Sequence, residues 1–191
     1  MKNAGLVLAA GAGRRMGTPK ALVRDAGGVP WVVRASRLLA ASGCAPVVVV
    51  IGAAADEVRA ELSAEPVHVV EATDWAEGMG ASLRAGLKTF APGVDAVVVV
   101  PVDVPGLTAA AVRRVVERAG PEALVRATYG GAPGHPVVIG RKHWAGVITS
   151  ARGDEGARGY LREHETVLVE CGDVSDGADV DTPEDLPPGH G

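Results

Sequence analysis

Two runs of consecutive apolar residues, Val47–Ile51 (VVVVI) and Ala96–Val100 (AVVVV), limit what this chain can fold into. They are too short for helices. They lack the polar alternation of a strand with one wet face, so both faces must be buried, as at the centre of a parallel sheet. The surrounding sequence repeats the theme. Gly5–Ala9, Val67–Val70, Ala123–Ala127, Pro136–Ile139 and Thr166–Val169 read as further strands. Helical patterns fall between them at Trp31–Ser42 (started by Pro30), Asp56–Ser63, Gly80–Phe90, a Thr108-capped stretch to Ala119, and Arg158–His164. This alternation predicts an α/β fold with a mainly parallel sheet covered by helices on each side. Right-handed crossovers then gather the strand-end loops along one edge, where such sheets bind ligands. The Gly/Pro-rich Tyr129–Pro136 reads as a loop, and the tail from Pro187 is expected to fray. A length of 191 residues fits a single domain spanning 1–191.

Composition removes several classes. No stretch approaches the roughly 18 apolar residues of a membrane span. Met1-Lys2-Asn3 leads straight into a strand, without the layout of a signal peptide, so a cytoplasmic location is expected. Cys44 and Cys171 belong to no CxxC pattern and read as reduced thiols. The formal charge of −4 argues against general nucleic-acid or anionic-membrane binding, leaving small anionic substrates open. His68, His143, His164 and His190 have no metal-ligand spacing, and neither HExxH nor GxSxG occurs.

The most informative segment is Leu8–Lys20, LAAGAGRRMGTPK. A glycine-rich loop after a buried first strand lets backbone N–H groups approach phosphates. It is not a P-loop, since GxxxxGK[ST] is absent. Nor is it a dinucleotide fingerprint, because Gly11, Gly13 and Gly17 are spaced GxGxxxG and the first helix waits until about Trp31. The loop is long, wraps around something, and carries Arg14, Arg15 and Lys20.

This loop resembles the signature of the NTP-transferase superfamily, and within it the molybdenum cofactor cytidylyltransferase-like (MobA-like NTP transferase) family. The resemblance implies a three-layer, Rossmann-like GT-A-type nucleotidyltransferase fold. It implies that Leu8, Ala9, Ala10, Gly11 and Gly13 clasp base and ribose, and that Arg15 and Lys20 hold the triphosphate. LAAG, through Ala10, goes with CTP in that family, where guanylyl-transferring relatives carry LAGG.

Past the apolar strand comes Pro101-Val102-Asp103-Val104-Pro105. A single hard carboxylate at a strand end suits Mg²⁺, which keeps waters and shares phosphate oxygens. It also suits a plain turn before a helix. The segment resembles the family's DxP motif, which makes Asp103 a metal ligand and, with Arg15 and Lys20, a catalytic residue. Asp179–Leu186 (DVDTPEDL) resembles the family's DIDTPEDL, implying Asp181 as a second magnesium contact. The same residues also read as a helix start, with Thr182 as cap and Pro183 first.

Three further segments extend the likeness. In Thr73–Leu83 (TDWAEGMGASL), Gly80 and Ser82 open a helix and match the family's GxxxSL at the nucleotide; Trp75 reads as a packing anchor. Gly134-His135-Pro136-Val137 resembles GHPV beside the acceptor. Gly153–Arg158 resembles GDxGAR, adding Asp154 and Arg158 to His135 as acceptor-binding residues; Asp154 also reads as an N-cap. The expected activity is transfer of CMP from CTP to the terminal phosphate of molybdopterin, with Mg²⁺ as cofactor and release of pyrophosphate. A molybdoenzyme is a possible recipient of the product. The alternatives are a GTP-using guanylyltransferase, another phosphorylated acceptor such as phospholactate or a sugar phosphate, and a non-catalytic accessory protein that binds nucleotide or cofactor.

Overall fold

The computed structural model describes residues 1–191. Its strands are β1 (Asn3–Ala9), β2 (Val47–Ile51), β3 (His68–Glu71), β4 (Ala96–Pro101), β5 (Leu124–Tyr129), β6 (Ala132–Gly140) and β7 (Val167–Glu170). They form one sheet in the order β3-β2-β1-β4-β6-β5-β7. β1, β2, β3 and β4 run parallel, whereas β6 is antiparallel to both β4 and β5. The helices are α1 (Trp31–Ala41), α2 (Ala55–Glu61), α3 (Met79–Leu87), α4 (Ala109–Val116), α5 (Trp144–Ser150) and α6 (Arg158–Glu163).

Alternate side chains of the central strands feed two cores. Val7, Val49, Ile51, Val98 and Val100 meet Val32 and Leu39 of α1, Val58 of α2, and Val112 and Val115 of α4. On the other face Leu6, Leu8, Val48, Val50, Val97 and Val99 meet Leu83 and Leu87 of α3, Trp144 and Val147 of α5, and Leu161 of α6. This is the three-layer α/β fold. Every residue of β2 and β4 is buried, as their unbroken apolar runs require. Each buried Val or Ile among them contributes about 1.5–3 kcal/mol.

The strand order changes direction beside β1: the chain goes outward through β2 and β3, then returns to β4 on the other side. Connections leaving β1 and β4 therefore diverge, opening a crevice at their C-terminal ends.

Three expectations meet a different outcome. Tyr129–Pro136 is a β-hairpin, not a loop. Gly130 and Gly131, at φ +58° and +82°, turn the chain in the two residues between β5 and β6. The pairing then slips between Arg126↔Val137 and Thr128↔Pro133, so Gly134, His135 and Pro136 form a bulge opposite Ala127. A bulge of this kind re-aims side chains and accommodates a proline without an N–H. The tail expected to fray is paired: Arg24 and Gly191 exchange backbone hydrogen bonds at 2.8 and 2.9 Å, and Trp31 Nε1 donates to His190 Nδ1 at 3.2 Å. The expected caps also differ. Thr182 precedes only a short 3-10 turn and makes no side-chain cap, its hydroxyl donating to Asp185 instead. Asp154 lies inside a 3-10 turn (Gly153–Glu155), four residues before α6. Thr108 does cap α4, accepting from the Ala111 N–H at 3.2 Å.

Candidate functional site

Three segments meet in the crevice: the loop after β1, the turn after β4, and residues 179–185. The first doubles back tightly. Gly13 has φ +60°, and a Cβ there would lie 1.9 Å from the Thr18 carbonyl oxygen, so only glycine fits. Beyond Pro19 a 3-10 turn (Lys20–Leu22) carries Lys20 beneath the loop. Its ammonium donates to Asp103 Oδ2 at 2.8 Å and to Asp181 Oδ1 at 2.6 Å. Arg15 pairs with the other Asp181 oxygen at 3.0 Å.

The three segments are fastened from behind. Met16, Val23, Trp31 and Val180 form a small separate core, with Leu186 against it. Met16 lies within the basic loop, and Val180 sits between Asp179 and Asp181. The Val180 N–H also donates to the Asp103 carbonyl at 2.8 Å. Packing thus aligns the loop's cations with both carboxylates.

The charges respond to this crowding. Burial pulls the Lys20 ammonium down, but hydrogen bonds and charge from Asp103 and Asp181 outweigh it and hold Lys20 above its ordinary pKa. The bond from Lys20 holds Asp181 below the usual carboxylate range, with Arg15 adding to the effect. Asp179 is pushed up by burial and then by repulsion from Asp103 and Asp181.

Above these groups lies a cleft of about 530 Å³, lined by Leu8, Ala10, Gly11, Gly13, Arg15, Lys20, Trp75, Ser82, Asp103, Asp154 and Asp181, among others. The glycine loop and the carboxylates face one another across it. Ala9 turns its side chain into the opposite core, leaving only its backbone near the cleft. Gly80 does not line the cleft; it is buried where a Cβ would come within 2.8 Å of the Arg152 backbone nitrogen. Trp75 packs over Gly52 and also lines the cleft. His135 and Arg158 line a second, smaller cavity next to it, whereas Asp154 stays on the cleft side. The two cavities share Leu8, Met79, Pro101, Asp103 and Asp179.

Asp103 and Asp181 fit a hard divalent cation. Asp103 Oδ1 is buried without any hydrogen-bond partner. Asp103 Oδ2 and Asp181 Oδ1 converge on one point, held here by the Lys20 ammonium. No three His, Cys, Asp or Glu side chains cluster as a cage, so a cation here would rely on water and phosphate oxygens, the habit of Mg²⁺.

Sequence reasoning missed Arg126, which lines the smaller cavity. The available signal was a lone charge inside the apolar run ALVRA. It also missed the Met16–Trp31–Val180 core, for which sequence offers no signal because its members are scattered over the chain.

Residues 5–167 match the MobA-like NTP transferase domain. A protein of Paenarthrobacter nicotinovorans named nicotine blue oxidoreductase is 38% identical over 192 residues, covering 95% of this chain and 93% of that protein. The molybdenum cofactor guanylyltransferase of Rhodobacter capsulatus is 36% identical over 153 residues, covering 78% of this chain and 68% of that protein. The crystal structure of Rv0371C from Mycobacterium tuberculosis H37Rv in complex with manganese superposes with a TM-score of 0.80 at 26% identity, covering 97% of this chain and 96% of that one. With a domain match over most of its length, this chain belongs to the MobA-like NTP transferase family and is a nucleotidyltransferase.

Proposed function

We propose that this chain transfers CMP from CTP to the terminal phosphate of molybdopterin, or of a closely related phosphorylated acceptor, and releases pyrophosphate. The observation that carries this reading is the single cleft in which Arg15, Lys20 and the glycine loop face Asp103 and Asp181.

In this reading Leu8–Gly13 binds the base and ribose through backbone groups, and Ser82 lends a hydroxyl. Arg15 and Lys20 neutralise the triphosphate. Asp103 and Asp181 would hold Mg²⁺, which would supply Lewis-acid stabilisation of the charge on the phosphate oxygens. Lys20 exchanges its carboxylate partners for phosphate. An oxygen of the acceptor phosphate bonds to the α-phosphorus as the bond to the β-phosphate oxygen breaks, and pyrophosphate departs with the electron pair. That nucleophile is already ionised, so no strong general base is required. The barrier is one of bringing two anions together, and positioning and electrostatics supply the rate.

GTP is a second reading, favoured by the guanylyltransferase name of the 36%-identical relative. Thermal melts with CTP, GTP, ATP and UTP, each with magnesium, rank the nucleotides. At one common concentration the tightest binder stabilises most, by about 2.7 kcal/mol where that concentration is 100 times its Kd, so CTP should give the largest upward shift. Pyrophosphate release on adding acceptor then distinguishes a transferase from an accessory binder. The same melts with NADH and NADPH address the redox chemistry that the other relative's name denotes. Stabilisation by a dinucleotide and by no NTP overturns the proposed reaction.

A further inference from the structure

One wall of the larger cleft is built from two turns that have no core of their own. Residues 73–79 pass from β3 to α3 through a 3-10 turn (Trp75–Glu77), and residues 152–155 leave α5 through another (Gly153–Glu155). No residue of either stretch is buried; Trp75 and Met79 only lean on the sheet's core. Trp75, Gly78 and Met79 from the first turn and Asp154 from the second line the cleft. The turns press together, for a Cβ at Gly78 would lie 2.5 Å from Asp154 Oδ1. Stretches with so little buried apolar surface open locally unless polar bonds hold them.

Arg84 of α3 supplies those bonds. Its side chain is only 16% exposed. Nη1 donates to the Ala151 carbonyl at 2.8 Å, just before the second turn. Nη2 donates to Asp74 at 3.1 Å and to Glu77 at 2.9 Å, in the first turn. The Ala151 carbonyl also accepts from Arg152 Nη1 at 2.8 Å, but Arg152 makes no bond to the first turn. The pairs with Asp74 and Glu77 are individually weak, as surface ion pairs are. Their joint effect lies in geometry. A rigid planar fork serves both sides at once, so the guanidinium itself sets the spacing between the turns. Arg84 stands behind the wall and does not line the cleft.

We infer that Arg84 is a positioning residue of the nucleotide cleft, locking the two turns into one preformed wall. The consequence for nucleotide binding rests on the transferase reading; the lock itself does not. With Arg84 in place the wall is ordered before a nucleotide arrives. Without it, binding must order both turns, and that cost falls on affinity. Arg15, Lys20, Asp103 and Asp181 are held by other segments and by the Met16–Trp31–Val180 core. Loss of Arg84 therefore weakens nucleotide binding and leaves the step at phosphorus nearly intact.

Hydrogen exchange followed by mass spectrometry reads the wall without ligand or turnover. In R84Q, exchange should rise about tenfold or more in peptides covering both 73–79 and 151–156, and stay at the wild-type rate in β2 and β4. The Kd of the NTP that most stabilises the wild type, measured with magnesium, should rise about tenfold in the same variant. R84K puts its charge on a single nitrogen that cannot serve both sides, so it should loosen at least one turn, and it takes the place of R84Q if that variant does not fold. Wild-type exchange in both turns of the variant that folds overturns the proposal, as does faster exchange in both with an unchanged nucleotide Kd. A rise that spreads to β2 and β4 also overturns it, since it marks a general loosening. Faster exchange confined to the two turns, together with no thermal response of the wild type to any NTP, keeps the lock and removes the nucleotide reading instead.

Discussion

Lys20 is the residue on which the site turns. Two carboxylates that would repel each other share its ammonium, at 2.8 and 2.6 Å. Asp103 keeps one oxygen buried and unpaired, at a cost of about 1–3 kcal/mol for an unsatisfied acceptor. Such a cost is tolerable where a ligand supplies the missing partner. Replacing Asp103 with Ala is therefore expected to lower turnover by about 10²-fold or more, the size of losing an electrostatic stabiliser, while the melting temperature holds or rises. Pyrophosphate release and a thermal melt check both parts. Near wild-type magnesium-dependent rates would remove Asp103 from the metal's ligands. The sequence singled out Lys20, Asp103 and Asp181 because their motifs carry the family likeness. It could not reveal that the three touch, since their contact spans 161 residues.

Among the elements, the β5–β6 hairpin has the most to explain, because it carries both Arg126 and His135. Its turn is clamped by Glu170 of β7. That carboxylate accepts from the Gly130, Gly131 and Gly172 N–H groups at 2.9, 3.1 and 2.9 Å, and from the Thr128 hydroxyl at 2.9 Å. These bonds, led by the one from Gly172, hold its pKa at about 2 against an ordinary 4.5. A folded-state pKa below the unfolded one means the stabilisation is full above about 4.5 and fades as pH falls toward 2. E170Q should accordingly be less stable than the wild type at pH 6, with the difference shrinking by pH 3. Urea melts at both values measure it, and an unchanged difference would deny the clamp. Sequence inspection took this stretch for a loop because glycine and proline mark turns. The Gly-Gly pair does form one, but the residues beside it extend and pair with each other, Tyr129 with Ala132 and Thr128 with Pro133.

At the scale of the whole molecule, the site depends on a small core that belongs to neither layer of the sheet. Trp31 is 1% exposed and packs with Met16, Val23 and Val180, joining the basic loop to the acidic segment. His190 closes over the same indole, which ties the tail to it as well. Trp31→Ala should cost about 3–5 kcal/mol, as emptying a large buried site does. It should also raise the KM for nucleotide, since loop and carboxylates lose their common backing. Denaturant melts and NTP titrations report the two effects. A stability loss with unchanged nucleotide affinity would show that the small core serves folding alone.

The sequence by itself determined the layers, the parallel centre of the sheet and the charged segments that follow β1 and β4. These follow from local rules: unbroken apolar runs demand burial on both faces, and glycine loops and strand-end carboxylates announce themselves by type and spacing. Tertiary structure alone decided that the cations and carboxylates share one cleft, that Arg126 faces the same cavity as His135 and Arg158, and that the tail is held down. Those relations join residues distant in the chain, and the packing free energy that enforces them exists only once the layers have closed around one another.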